Sequence, residues 1–403
     1  MNVLFLLPRY SESKNDSTLE KDLVEEFYKK GHDVTVVSLL EEKKEDYLIN
    51  QEGINICKLK CGKYYSNGTT KFDKGITLLK LPFVLTYKLP KIIKKKIDLI
   101  ILSTPMMNSS YLIKNLKKIY NCKVLLIVWD IFPQNAVDVQ MIKNKILIKL
   151  LEKKYENSLK NADYISAMSD GNKQYLIKNF KICNKKVFIL ENWAFIKERI
   201  LVDRKKIRIK YGYQEDDFIA IFGGNIGRLQ QLDNILNLAK KLLEVEKIKF
   251  LLIGNGAEKE KLQNRVKREK IKNVSFFNYV PREDYEKLTA ACDIGIVSLD
   301  ERFTVPNFPS KTTDYFKLSL PILASLDNCA AEDYGVFLAE KVKGGLFAQA
   351  GNIEELYEKF MLLYSNEELR RELGDNGRKY YEENLGVDKA YVTIMDEIGN
   401  KKI

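Results

Sequence analysis

Short runs of β-branched and aliphatic residues alternate with helix-length amphipathic runs along the whole chain, and the same rhythm occupies both halves. Strand-sized runs lie at 2–7, 33–38, 98–103, 123–128, 163–168 and 186–190, and again at 218–222, 249–253, 274–277, 294–297 and 321–324. The clearest is Phe250-Leu251-Leu252-Ile253. Near-continuous apolar runs are what parallel strands need when both their faces are buried. The alternation therefore predicts an α/β chain built from two open sheets, each with helices on both faces. Around 193–211 the sheet pattern stops and charged residues dominate, which places the boundary between lobes 1–197 and 198–385.

The first helix is legible in detail. Ser17 and Glu20 have capping-box spacing. Leu19, Leu23, Val24 and Phe27 share one face, and Gly31 can take the left-handed position that ends the helix. Residues 75–96 (GITLLKLPFVLTYKLPKIIKKK) mix leucines and aromatics with lysines. Such a stretch can lay an apolar side in a bilayer interface while its lysines meet anionic headgroups. Pro82 and Pro90 are expected to interrupt any single helix there.

Composition excludes several classes. Apolar residues make up 45% of the 403, enough to bury sizeable cores. No run approaches the ~18 consecutive apolar residues of a spanning helix. The chain starts directly on a strand pattern, so no secretory leader is expected. Cysteines 57, 61, 122, 183, 292 and 329 are scattered, which predicts free thiols in a reducing compartment. His32 is the only histidine, so a His-rich metal centre cannot be built, and no His-based triad can form without it. Net charge is +12, and residues 51–150 hold 18 basic against 5 acidic residues. That one-sided excess predicts an anionic partner. No helix-turn-helix, zinc-finger or RNA-binding signature accompanies it, so an anionic membrane surface is favoured over nucleic acid.

In open α/β sheets, ligands bind beyond the carboxyl ends of strands. Four such turns in the second half carry suitable residues. The first, Gly223-Gly224-Asn225-Ile226-Gly227-Arg228, lets backbone approach a ligand, and Arg228 can neutralise phosphate. It is not GxGxxG. The second is Gly254-Asn255-Gly256, and the third is Asn278-Tyr279-Val280-Pro281, where an aromatic and exposed backbone could hold a flat base. The fourth is PNFPSKTTD at 306–314. There Ser310 is expected to cap a helix, Lys311 to project near its positive end, and Asp314 to accept ribose hydroxyls. Together the turns describe a pocket for a nucleoside diphosphate.

The motifs GNIGRLQ (224–230) and PSKTTDY (309–315) resemble the GNIGxxQ and PSKxxEY patterns of glycosyltransferase family 4, retaining enzymes of the GT-B fold, and within it the bacterial O-antigen and capsule type. GHDV (31–34), STPMM (103–107), VWDIFPQ (128–134), ENWA (191–194), IGNGAE (253–258) and a late glycine loop, KGGLFAQA (343–350), fit the same order. The resemblance implies two Rossmann-like domains facing across a cleft, with 1–197 binding acceptor and 198–385 binding donor. It also implies a C-terminal helix within 386–403 that returns to the first domain. Of the family's two glutamates eight positions apart, the second corresponds to Asp314, and the first falls on Pro306. The usual diphosphate-binding Arg and Lys of the first turn are replaced by Asn225 and Gln230, which leaves Arg228 and Lys311 as the cations. The family's N-domain histidine falls on Asp130, a candidate base or electrostatic stabiliser, and His32 is implied to be structural.

The expected donor site is thus Gly224, Asn225, Gly227, Gln230, Gly254, Asn255, Gly256, Tyr279, Val280, Ser310 and Asp314, with Arg228 and Lys311 on the diphosphate. The acceptor is expected near the loop at 8–17, at Arg9, Tyr10 and Ser11. No DxD-type motif is evident, so transfer is expected to need neither metal nor cofactor. The resulting expectation is a retaining hexosyltransferase that takes a HexNAc-type sugar from a UDP-linked donor. Its acceptor would be a polyprenyl-diphosphate-linked glycan on the cytoplasmic face of the membrane. The alternatives are an inactive nucleotide-sugar-binding subunit and a GT-B nucleotide-sugar 2-epimerase.

Overall fold

The structure, a computed structural model, describes residues 1–13, 17–40, 45–62, 71–104 and 109–400. The motif STPMM therefore lies partly outside the described residues, as does part of the loop at 8–17. The chain divides into two compact units. One comprises residues 1–137, 142–195 and 387–403; the other comprises 138–141 and 196–386.

The first unit is an eight-stranded sheet: β1 (Asn2–Leu7), β2 (Asp33–Leu40), β3 (Tyr47–Gln51), β4 (Ile54–Lys60), β5 (Leu99–Ser103), β6 (Lys123–Val128), β7 (Tyr164–Ala167) and β8 (Val187–Ile189). Its spatial order is β3-β4-β2-β1-β5-β6-β7-β8, parallel except for the β3–β4 pair. Strand order reverses between β1 and β5, the crevice where α/β sheets admit ligands. One face packs on the helices Lys71–Ile92, Ser110–Tyr120 and Lys145–Asn161 through Leu81, Leu85, Leu89, Leu112, Leu116 and Leu159. The other face packs on helices Leu19–Lys29 and Val387–Asn400 through Phe27, Trp193 and Ile394. His32 sits in this second layer. Its Nε2 bonds the Tyr391 hydroxyl at 2.8 Å and its Nδ1 faces the terminal amine at 3.2 Å. Burial and that amine lower its pKa.

The second unit is a six-stranded parallel sheet: β9 (Phe218–Gly223), β10 (Ile248–Ile253), β11 (Val274–Phe277), β12 (Ile294–Ser298), β13 (Ile322–Leu326) and β14 (Gly345–Gln349), in the order β11-β10-β9-β12-β13-β14. The order reverses between β9 and β12. The loops after those two strands, 224–232 and 299–310, are the ones that carry GNIGRLQ and PNFPS.

Four local expectations are corrected. The first helix is capped by Thr18, whose hydroxyl accepts from the Lys21 amide at 3.2 Å; Ser17 instead donates to Asp22 at 2.9 Å. Lys71–Ile92 is one helix that runs through Pro82 and Pro90. Each proline costs about 3 kcal/mol. Burying Leu81, Leu85 and Leu89, which are at most 1% exposed, offsets this at roughly 1.5–3 kcal/mol each. The hairpin β3–β4 was not expected; its two-residue turn is Glu52-Gly53, both at positive φ, as a type I′ turn requires. Residues 345–349, expected as a glycine loop, form β14. A Cβ at Gly345 would sit 2.3 Å from the Ile322 carbonyl oxygen, so this glycine serves a close strand approach. All six cysteines are free. Among the described residues no helix is long and apolar enough to cross a membrane.

Candidate active site

The first two turns of the second unit are zipped together by backbone. The Gly224 amide donates to the Ile253 carbonyl and the Ile226 amide to the Asn255 carbonyl, both at 2.9 Å, and the Glu258 amide to Ile226 at 3.1 Å. This approach is possible only with glycines. At Gly254 (φ +142°) a Cβ would lie 1.8 Å from the Gly224 oxygen, and at Gly256 it would lie 2.1 Å from the Ile226 oxygen. Lys259, buried behind the turns, donates to the Gly254 carbonyl (2.7 Å), the Phe277 carbonyl (2.8 Å) and Asn278 Oδ1 (2.7 Å). It thereby ties the second turn to the third. Sequence reasoning passed over Lys259 because it reads as one more lysine in a charged helix.

The fourth turn is fixed by Tyr315. Its hydroxyl reaches the Ile221 carbonyl at 3.1 Å and the Ile296 carbonyl at 3.2 Å, bridging β9 and β12 where the strand order reverses. Lys311 and Asp314 belong to the same helix, Lys311–Lys317. Ser310 precedes it in a helical conformation and makes no side-chain cap, contrary to expectation. The Lys311 ammonium stands 4.4 Å from the Phe222 ring centroid, and its terminal carbon is 3.8 Å from the Cβ position of Gly224. Burial pushes its pKa down to about 8, with Asp314 pulling the other way.

Asp314 holds a two-pronged ion pair with Arg282: Nη1 donates to Oδ2 at 3.1 Å and Nη2 donates to Oδ1. Arg282 also meets Glu286 at 2.8 Å, and Glu286 meets the buried Lys317 at 2.7 Å. Burial disfavours the Arg282 charge, but Asp314 and Glu286 outweigh it and hold the guanidinium above its usual range. Arg282 is a residue the sequence reading missed, although it follows the third turn directly. Tyr279, the proposed base platform, is 78% exposed and Val280 half-buried.

Two first-turn residues have structural partners. Gln230 Oε1 accepts from the Gly227 amide at 3.2 Å, closing the turn on itself, and Asn225 packs beside Gly227. Arg228 points at Glu258, with Nε at 3.1 Å from Oε1. The structure therefore brings Gly224, Gly254, Lys311 and Asp314 to one place and leaves Arg228 in a surface ion pair. Beside it a cavity of about 440 Å³ is lined by Arg228, Glu258, Lys261, Asp233 and Arg302.

In the first unit, Asp130 follows β6. The neighbouring Trp129 amide donates to Thr104 Oγ1 at 3.1 Å, and the Tyr155 hydroxyl donates to the Asp130 carbonyl at 3.3 Å. The residue is accessible to solvent, yet the protein around it disfavours the carboxylate and raises its pKa. Arg9 is exposed, whereas Tyr10 is 8% exposed and held by the buried Lys58, whose ammonium donates to its carbonyl. Ser11 Oγ accepts from the Ser13 amide at 3.2 Å. Gln51 donates to the Glu12 carbonyl at 2.9 Å, so the β3–β4 hairpin is what braces this loop.

Comparison with known proteins bears on this geometry. Residues 203–380 match the family model Glycosyl transferases group 1, a span that contains all four turns. The chain is 30% identical over 212 residues to "Probable glycosyltransferase WbjE" of Pseudomonas aeruginosa. That match covers 52% of this chain and 52% of that protein, so the chain spans about half the length of this relative. Over 99% of both chains it superposes on sucrose-phosphate synthase from Thermosynechococcus elongatus, with a TM-score of 0.77 and 15% identity. It also superposes on all of Anabaena HepE, solved in complex with UDP, with a TM-score of 0.68 and 13% identity. At such identities the likeness is one of fold. The chain has the GT-B fold, and its residues 203–380 match the glycosyl transferases group 1 model.

Proposed function

We propose that the chain is a retaining hexosyltransferase that moves a HexNAc-type sugar from a UDP-linked donor to a polyprenyl-diphosphate-linked glycan in bacterial surface-polysaccharide synthesis. The observation that carries this reading is Lys311. A half-buried ammonium beside the glycine turn, with no hydrogen-bonded carboxylate among the described residues, is a cation placed for an anion that arrives from solution. The HepE complex with UDP and the name of WbjE support a nucleotide-sugar donor and a transferase.

In the proposed reaction the bond between the anomeric carbon and the diphosphate oxygen breaks, and a bond from that carbon to an acceptor oxygen forms. UDP leaves with the electron pair, and the acceptor's proton passes to a base. Lys311 and the amides of the glycine turn meet the charge that develops on the diphosphate, so no divalent ion is required. Asp314, oriented by Arg282, keeps free lone pairs for ribose hydroxyls. Asp130 is assigned to the acceptor hydroxyl as base or electrostatic stabiliser. Arg228 serves the diphosphate only if it exchanges Glu258 for phosphate. Arg9 and Ser11 remain the acceptor-side candidates, and the enzyme would work at the inner face of the cell membrane.

A thermal-shift panel of UDP, GDP, ADP and UDP-sugars in EDTA tests the donor reading, since a ligand stabilises the state it binds as ln(1 + [L]/Kd). Selective stabilisation by UDP together with slow UDP-sugar hydrolysis is expected. Stabilisation without any hydrolysis or transfer would identify an inactive binding subunit, and no response to UDP would overturn the reading.

A further inference from the structure

The helix Lys145–Asn161 is longer than the sheet it covers. Tyr155 donates to the carbonyl of Asp130, two residues past the carboxyl end of β6, so the ten helical residues before Tyr155 run on about 15 Å from that contact. On those turns Ile146 is 74%, Leu147 45% and Leu150 64% exposed. The same helix layer carries a second apolar stripe. Leu79, Phe83 and Tyr87, four residues apart along helix Lys71–Ile92, are 71%, 59% and 67% exposed, opposite the buried Leu81, Leu85 and Leu89. Phe83 packs against the exposed Tyr111 of the next helix, with ring centroids 4.6 Å apart and planes tilted by 40°. Isolated exposed leucines need no explanation, but two such clusters in one layer do.

The charge around them selects the occupant. The three helices of this layer hold 13 lysines against Asp73, Glu152 and Glu156. Lys80, Lys91, Lys114, Lys118, Lys145 and Lys149 are exposed. A protein partner with an apolar patch would not need so uniform a ring of cations, and an anionic partner without lipid would not need exposed isoleucine and leucine.

We infer that this helix layer docks on an anionic lipid surface, with the projecting turns of Lys145–Asn161 and the stripe Leu79-Phe83-Tyr87 entering the headgroup region while the lysines meet lipid phosphates. The inference rests on the lipid-linked acceptor of the proposed function and specifies where the membrane is met. The projecting turns start from the end of the sheet that carries Asp130. A lipid-anchored sugar would then meet the unit beside its strand ends.

Flotation of the full chain with vesicles of phosphatidylcholine alone, or with 30% phosphatidylglycerol, tests it. Binding only to the anionic vesicles is expected. Ile146→Ser with Leu150→Ser should lower partitioning at least tenfold, as should Lys145→Gln with Lys149→Gln, each with melting temperature and UDP binding retained. Leu79→Ser with Phe83→Ser is the independent second pair. Unchanged flotation in all three variants overturns the inference. So does a chain that ignores vesicles and instead forms a dimer that these substitutions dissociate. Retained UDP binding in a chain that does not float would refute the docking surface alone and leave the transferase reading standing.

Discussion

Replacing Lys311 by Met should move apo stability and ligand response in opposite directions. Holding that ammonium at a pKa of about 8 instead of 10.5 penalises its charged form by roughly 3 kcal/mol at neutral pH. Water still reaches the half-buried side chain, so the effective penalty is nearer ~1–2 kcal/mol. Between about 8 and 10.5 the unfolded chain holds a proton that the folded one has released, so wild-type stability rises with pH across that window. Methionine removes this dependence and raises apo stability at pH 7, by about 2–4 °C per kcal/mol in a unit of this size. The same change deletes a charged hydrogen bond to phosphate worth about 1.5–3 kcal/mol, a ~10–150-fold loss of UDP affinity. At 100 times the wild-type Kd, UDP stabilises the wild type by about 2.7 kcal/mol, and a hundredfold weaker variant by only ~0.4 kcal/mol. Differential scanning fluorimetry with and without UDP reads both effects at once. UDP affinity of the wild type should also fall as pH rises through about 8. A variant that melts earlier than wild type yet keeps its full UDP shift would show that Lys311 is merely structural.

Three further outcomes are expected. Asp314→Ala should erase the roughly tenfold or greater preference for UDP over its 2′,3′-dideoxy analogue in competition titrations, and an unchanged preference removes the ribose assignment. Gly254→Ala places a methyl group 1.8 Å from the Gly224 oxygen at φ +142°, so a loss of roughly 3 kcal/mol or more and of UDP binding is expected in urea melts. Burial pushes the fully buried Asp327 up to about 6 and leaves one of its oxygens without a partner among the described residues. The native state then keeps a proton that the unfolded chain has lost between pH 3.8 and about 6, so stability falls as pH rises through that window. Asp327→Asn should flatten that slope while keeping its cap on the Ala330 amide, as urea midpoints at pH 4 and 7 would show.

The sheets were legible because buried parallel strands write long apolar runs, and eleven of the strands match runs visible in the sequence. Strands β3, β4 and β14 were not. Strand Tyr47–Gln51 alternates half-buried and exposed positions, but its sequence YLINQ does not alternate apolar with polar residues, and the glycine that starts β14 reads as a loop when its close approach to Ile322 is hidden. Prolines 82 and 90 misled because local propensity says nothing of the leucine face packed beneath them. In the site, glycines and the Lys311–Asp314 spacing were readable from turn chemistry. Arg282 and Lys259 were not, since each works through a partner distant in sequence, and neither charge has a local pattern. Arg228 shows the converse: a cation in the right motif can be turned toward Glu258.

In the proposed reaction, fixed cations and turn amides of the second unit hold a nucleoside diphosphate without a divalent ion. Crystals grown with UDP in the presence of EDTA test it most directly. The diphosphate is expected within hydrogen-bond distance of Lys311 Nζ and the Gly224 turn, with the ribose at Asp314. UDP bound elsewhere, or bound only when a metal ion is restored, would contradict it.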